Sequence, residues 1–149
     1  MNINEKRFIK YMKKLFLFFA ALFMLASCSR EDDVPQFNVE FLPVDSVDVP
    51  ESFAMGNTYQ IKVHYKRPTD CYFFNGFYYE EDGDALLVAV QTLVIQDAVC
   101  EPLTEPESAI FEFECSPNYT SSTYLFKFYK GDNEAGDPTY IEVEVPVMQ

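Results

Sequence analysis

The chain has 149 residues, 11 Lys and Arg against 24 Asp and Glu, a formal net charge of −13, and no Trp. Residues 1–27 hold five of the basic side chains (Lys6, Arg7, Lys10, Lys13, Lys14) and one acid, Glu5, so the remainder carries a net −17. A body this acidic is repelled by phosphate backbones and anionic head groups, which removes nucleic acid from the expected partners.

At the N-terminus, Lys13 and Lys14 precede an unbroken apolar run over residues 15–26 that ends in small residues. A basic region, an apolar region and a small-residue cleavage site in that order make a secretory signal. The run is too short to span a bilayer as a helix, which takes roughly 20 residues. Residues 1–27 are therefore read as a signal peptide, starting at Met1 or at Met12. Leu25-Ala26-Ser27-Cys28 resembles the lipobox of bacterial lipoproteins. That resemblance implies cleavage before Cys28 and acylation of its thiol and new amino group, making the membrane a partner through Cys28. Two or three acyl chains anchor durably where one does so marginally. The acidic run Glu31-Asp32-Asp33 resembles the surface-export signal of Bacteroidetes lipoproteins, which implies an outer-membrane protein exposed on the cell surface. Asp45-Ser46-Val47 resembles the O-glycosylation motif of the same phylum and nominates Ser46.

Residues 28–36 read as a polar, lipidated, acidic tether without periodicity. Residues 37–149 have the size of one domain, with no linker or internal repeat to divide them. Seven segments rich in β-branched and aromatic residues follow in order, separated by turn signals. Phe37, Val39 and Phe41 alternate with Asn38 and Glu40; Tyr59, Ile61, Val63 and Tyr65 alternate with Gln60, Lys62, His64 and Lys66. A third segment over residues 71–80 turns at Glu81-Asp82-Gly83-Asp84 into a fourth over residues 85–96, which is apolar on both faces of its N-terminal half. Phe111, Phe113 and Cys115 form the fifth, Tyr124, Phe126 and Phe128 the sixth, and Ile141, Val143 and Val145 the last, after a polar loop over residues 131–138. Short strands with one apolar face each, and no helical spacing, predict a seven-stranded antiparallel sandwich. Thr123-Tyr124 with Phe126 and Phe128 resembles the penultimate strand of immunoglobulin-like domains, where a Tyr closes a corner onto nearby backbone. Position 126 is Phe rather than Cys and Trp is lacking, so the antibody-type core is not expected. The chain as a whole resembles small lipoproteins of the Bacteroidetes.

With Cys28 lipidated, three cysteines remain, in an oxidising compartment where pairing is expected. Cys71 opens the third strand and Cys100 follows its hairpin neighbour, so a Cys71–Cys100 disulfide is expected and Cys115 is left as a buried thiol. No cysteines are closely spaced and His64, the one histidine, lies on a polar face, so neither zinc nor another cofactor is expected. The acidic turns at residues 80–84 and 132–137 lack the ligand spacing of a calcium loop and read as hairpin turns. Catalysis finds no nucleophile elbow and no Cys/His pair, and no enzyme is expected. The aromatic run Cys71-Tyr72-Phe73-Phe74-Asn75-Gly76-Phe77-Tyr78-Tyr79 puts rings on both faces of one strand. Either Tyr72, Phe74, Tyr78, Tyr129 and Tyr140 line an exposed aromatic sheet face, or Gly76 marks a bulge that swaps the faces and sends most rings inward. Two functions follow: a non-catalytic binding module for a glycan, peptide or envelope protein, or a structural subunit of an envelope complex.

Overall fold

A computed structural model describes residues 35–148, which form an all-β sandwich of two sheets with nine strands. In chain order these are β1 (Phe37–Leu42), β2 (Val44–Asp48), β3 (Phe53–Ala54), β4 (Thr58–Lys66), β5 (Tyr72–Asp82), β6 (Ala85–Ile95), β7 (Pro106–Glu114), β8 (Thr123–Asp132) and β9 (Pro138–Met148). The smaller sheet is antiparallel, β2-β4-β7. The larger centres on β6, whose one edge takes β5 along most of its length. Its other edge is shared end to end: β8 pairs with residues 85–88 and β1 with residues 90–95. β9 and the two-residue β3 extend the sheet beyond β8.

The seven-strand, wholly antiparallel expectation is corrected in two respects. The alternation does not announce β2 or β3, because a register shift between Val44 and Ser46 breaks the period of β2, and β3 is too short for any period. Two pairings, β6 with β8 and β3 with β9, are parallel, so the larger sheet is mixed. Pro43 marks the crossing of the chain from β1 in one sheet to β2 in the other, where a residue without an N–H removes no ladder bond.

The core lies between the sheets and includes Ile61 and Val63 of β4, Val88 and Val90 of β6, Phe126 and Phe128 of β8, and Val145 of β9. Phe53, fully buried on β3, packs its ring 4.7 Å from Tyr59 and 5.0 Å from Phe113, centroid to centroid. Burying such a ring stabilises the fold by about 1.5–3 kcal/mol. Thr92, a buried polar side chain on β6, donates its hydroxyl to Glu40 O at 2.9 Å, so its burial is compensated. Arg67, at the end of β4, ties the two sheets together. Its Nε donates to Glu107 and its Nη1 to Tyr72 O, both at 2.7 Å.

Candidate functional site

The two faces of β5 exchange at a bulge. Tyr72 and Phe74 pair with Val94 and Thr92 of β6, whereas Phe77, Tyr78 and Tyr79 pair with Val90, Ala89 and Val88. The shift falls at Asn75-Gly76, and Gly76 takes a φ of +93°, which only glycine adopts without strain. Even-numbered positions of β6 face the core. Tyr72, Phe74, Phe77 and Tyr79 therefore point inward, and Phe73 and Tyr78 point outward. The inner-side rings form an aromatic seam along the open β5 edge, with Phe74 stacked on Tyr65 at 6.0 Å and Phe77 and Tyr79 against Phe111 at 5.4 and 5.7 Å, though Phe74 and Tyr79 stay 43 and 62 % exposed.

The five aromatic residues singled out from sequence thus do not share a face. Tyr72 and Phe74 lie on the inner side, at its rim, where the Tyr72 hydroxyl donates to Glu40 at 3.0 Å. Desolvation, and then the Glu40 carboxylate, push that phenol's pKa up. Tyr78, Tyr129 and Tyr140 lie on the outer side of the larger sheet, Tyr129 and Tyr140 directly opposite each other on β8 and β9. Tyr78 donates to Glu80, a bond that raises its pKa, and Tyr129 donates to Asp132 at 3.0 Å.

The outer face holds a patch that the sequence pattern missed. Phe37, Val39 and Phe41 pair with Ile95, Leu93 and Gln91, and are 48, 57 and 44 % exposed. Their alternation with Asn38 and Glu40 reads as a core-facing side, yet it is Leu42 that β1 buries in the core, and the odd-numbered residues face outward. Phe73 and Tyr78 join them from β5. Phe41 and Tyr78 stand on the strands either side of β6, about 9.5 Å apart, and their ring centroids are 5.4 Å apart. Both rings must lean over β6, which explains why Ala89 beneath is buried on an outer face. Closer to the β5–β6 turn, Lys127 reaches across the same strand to Asp82 at 2.9 Å, and that bond raises its pKa. Leu93, Ile95, Leu87 and Gln91 fill the spaces between. A surface of Phe37, Val39, Phe41, Phe73, Tyr78 and their β6 neighbours, mostly apolar and bounded at Tyr78 by Glu80 and beyond it by the Lys127–Asp82 pair, therefore lies on a strongly acidic body. Exposed apolar groups in one contiguous patch mark an interaction surface.

The other nominated residues stand apart from this face. Cys71 and Cys100 form the expected disulfide, with Cα atoms 5.6 Å apart, and Cys115 is a free, buried thiol whose pKa burial raises. The disulfide staples a short ribbon in which Asp70 and Glu101 exchange backbone and side-chain hydrogen bonds. Ser46 is exposed on the outer side of the smaller sheet, opposite His64. His64 Nε2 lies 2.9 Å from Asp48 Oδ2, and no hydrogen bond joins Ser46 to the ring. In the β8–β9 loop, Asn133 Oδ1 accepts from the N–H groups of Ala135 and Asp137, both at 2.9 Å, which makes this a side-chain-closed turn. Among the described residues, Asp70, Cys71 and Cys100 are the close group of metal-ligating type, and both of its thiols are spent in the disulfide. A cleft of about 360 Å³ opens at the far end of the sandwich, lined by Glu81, Asp84, Glu114, Tyr119 and Tyr124. Cys28, Glu31, Asp32, Asp33 and the signal segment lie outside the described residues.

Compared with protein-family models, curated proteins and solved structures, the chain finds no match in any of the three.

Proposed function

We propose that this protein is a non-catalytic, lipid-anchored binding module of the bacterial outer membrane, held through Cys28 and presented at the cell surface by Glu31-Asp32-Asp33. The observation that carries the binding role is the largely apolar patch of β1, β5 and β6, with charge confined to its Glu80 end, on a body rich in acids. Its centre, the Phe41–Tyr78 pair, offers large rigid rings at low conformational cost, the kind of side chain enriched at the centre of protein interfaces. The Tyr78 hydroxyl is already engaged by Glu80, and Gln91, with Asn75 at the bulge opposite it, adds amide groups. Most of the patch is nonetheless apolar, in Phe37, Val39, Phe41, Phe73 and Leu93. The chemistry favours an apolar protein or peptide surface over a glycan. Tyr124, whose hydroxyl lies 3.3 Å from Ser116 N eight residues upstream, supports an immunoglobulin-like classification of the sandwich.

Photo-crosslinking in intact cells tests the reading. A crosslinking residue at Phe41 or Tyr78 is expected to trap one partner of discrete mass, lost when the other ring is replaced by Ser. The same residue at Gln60 or Glu112, on the outer side of the smaller sheet, is expected to trap none. Equal adducts at all four positions, or adducts at none, would overturn it.

A further inference from the structure

We infer that the end of the sandwich where the chain enters β1 rests on the lipid surface itself, below the face that takes the partner. The inference rests on acylation at Cys28. From Cys28 to Phe37 there are nine residues, a reach of at most about 30 Å at roughly 3.3 Å each. That short connection ends on one particular end of the fold. Gln96 N–H donates to Gln36 O at 2.8 Å, so the entering chain lies directly beside the exit of β6. The loop that follows, residues 96–100, returns to Cys71 at the start of β5 and is pinned there by the disulfide. At its tip Val99 is fully exposed, the most exposed large apolar side chain described, next to the exposed Ala98. Phe37 opens β1 opposite Ile95 at the same end, 48 % exposed, and Phe73 on β5, 44 % exposed, follows two residues further along, opposite Leu93.

An apolar tip on a disulfide-fixed loop, beside the residue to which an acylated tether leads, is placed to enter the boundary between head groups and acyl chains. Amphipathic elements settle about 5–10 Å into that boundary. With the strands upright, that depth takes in Val99, Ile95 and Phe37 and leaves Phe73, level with Val39, about 7 Å higher. Phe41, four residues further along β1, stands about 13 Å above Phe37 and stays clear of the lipid. The membrane therefore takes the Phe37–Ile95 end of the apolar patch and leaves its Phe41–Tyr78 centre to the partner. Asp97 and Glu101 flank the tip, and residues 96–101 contain no Lys or Arg. The contact is accordingly apolar and is opposed by anionic head groups.

The absence of Trp from the chain makes a direct test possible. Val99→Trp and Asp84→Trp, the second at the opposite end in the β5–β6 turn, are prepared as full-length lipoproteins and reconstituted into phosphatidylcholine vesicles containing brominated acyl chains. The Val99→Trp emission is expected to shift to the blue and to be quenched, and the Asp84→Trp emission to do neither. Adding phosphatidylglycerol is expected to reduce the quenching, and adding Phe37→Ser to Val99→Trp to reduce it further. Acylated, vesicle-bound protein with equal quenching at both positions, or quenching strengthened by phosphatidylglycerol, would overturn the inference and leave the anchor standing. Protein that carries no acyl group and does not sediment with vesicles would remove the anchor and the inference together.

Discussion

Removing the Cys71–Cys100 disulfide is the perturbation whose size follows most directly from the structure. The bridge closes a loop with a sequence separation of 29, and in the chain-entropy account a loop of that length contributes about 3.5 kcal/mol by restricting the unfolded chain. Against a total of about 5–15 kcal/mol for a small domain, that is a large share. The double variant Cys71→Ala/Cys100→Ala avoids leaving one thiol at the nearly buried Cys71 position. For a domain of this size it is expected to melt about 15 °C lower than the wild type, at roughly 4 °C per kcal/mol. The paired hydrogen bonds between Asp70 and Glu101 and from Leu103 N to Pro68 O remain in the folded state, so the strands persist and the amides of residues 96–101 exchange faster. Urea denaturation followed by circular dichroism, oxidised against double variant, measures the difference. A loss below about 1 kcal/mol would refute the reasoning, because the β5–β6 hairpin would then already confine the same loop in the unfolded chain.

Phe53→Ala empties a site touched by four aromatic rings and is expected to cost about 3–5 kcal/mol, whereas Phe41→Ser on the outer face should cost under about 1 kcal/mol. Equal costs in chemical denaturation would mean that the two faces of the larger sheet are misassigned. Burial raises the phenol pKa values of Tyr65, Tyr72 and Tyr124 above the ordinary 10.0, so the folded state holds protons that the unfolded state releases. Their contribution is complete below pH 10 and is lost as pH rises through the folded values, and Tyr65→Phe should flatten that alkaline fall in a pH series of melting curves. Stability unchanged between pH 9 and pH 11.5 would contradict this. Protease shaving of intact cells should cleave the wild type and spare a Glu31→Ala/Asp32→Ala/Asp33→Ala variant; a wild type that resists shaving would place the protein on the periplasmic side.

Much of the sandwich was legible because period-two alternation survives in β4, β7, β8 and β9, where one face is buried and the other wet. The disulfide was legible for a local reason: Cys71 and Cys100 flank a hairpin whose turn, Gly83-Asp84, is written in the sequence. What was hidden is non-local. Nothing in residues 85–88 or 125–128 announces a parallel pairing, and nothing in β1 says that its aromatic side faces outward while Leu42 turns in. The candidate face suffered most from the bulge at Gly76, which sends Tyr72 and Phe74 to one side of β5 and Tyr78 to the other. The double-sided apolar character of β6 was the available signal, since its outer residues require a cover. Phe41 and Tyr78 cover Ala89, the Lys127–Asp82 pair crosses nearer the turn, and the apolar surface centred on the two rings is the proposed site.

The anchor is tested most directly at the N-terminus of the mature protein. Mass spectrometry of the membrane-fraction protein, expressed in a bacterium with a lipoprotein-processing pathway, is expected to find Cys28 as the first residue, carrying a thioether-linked diacylglyceryl group and an N-acyl chain. An unmodified Cys28, or a mature chain that begins elsewhere, would contradict the account.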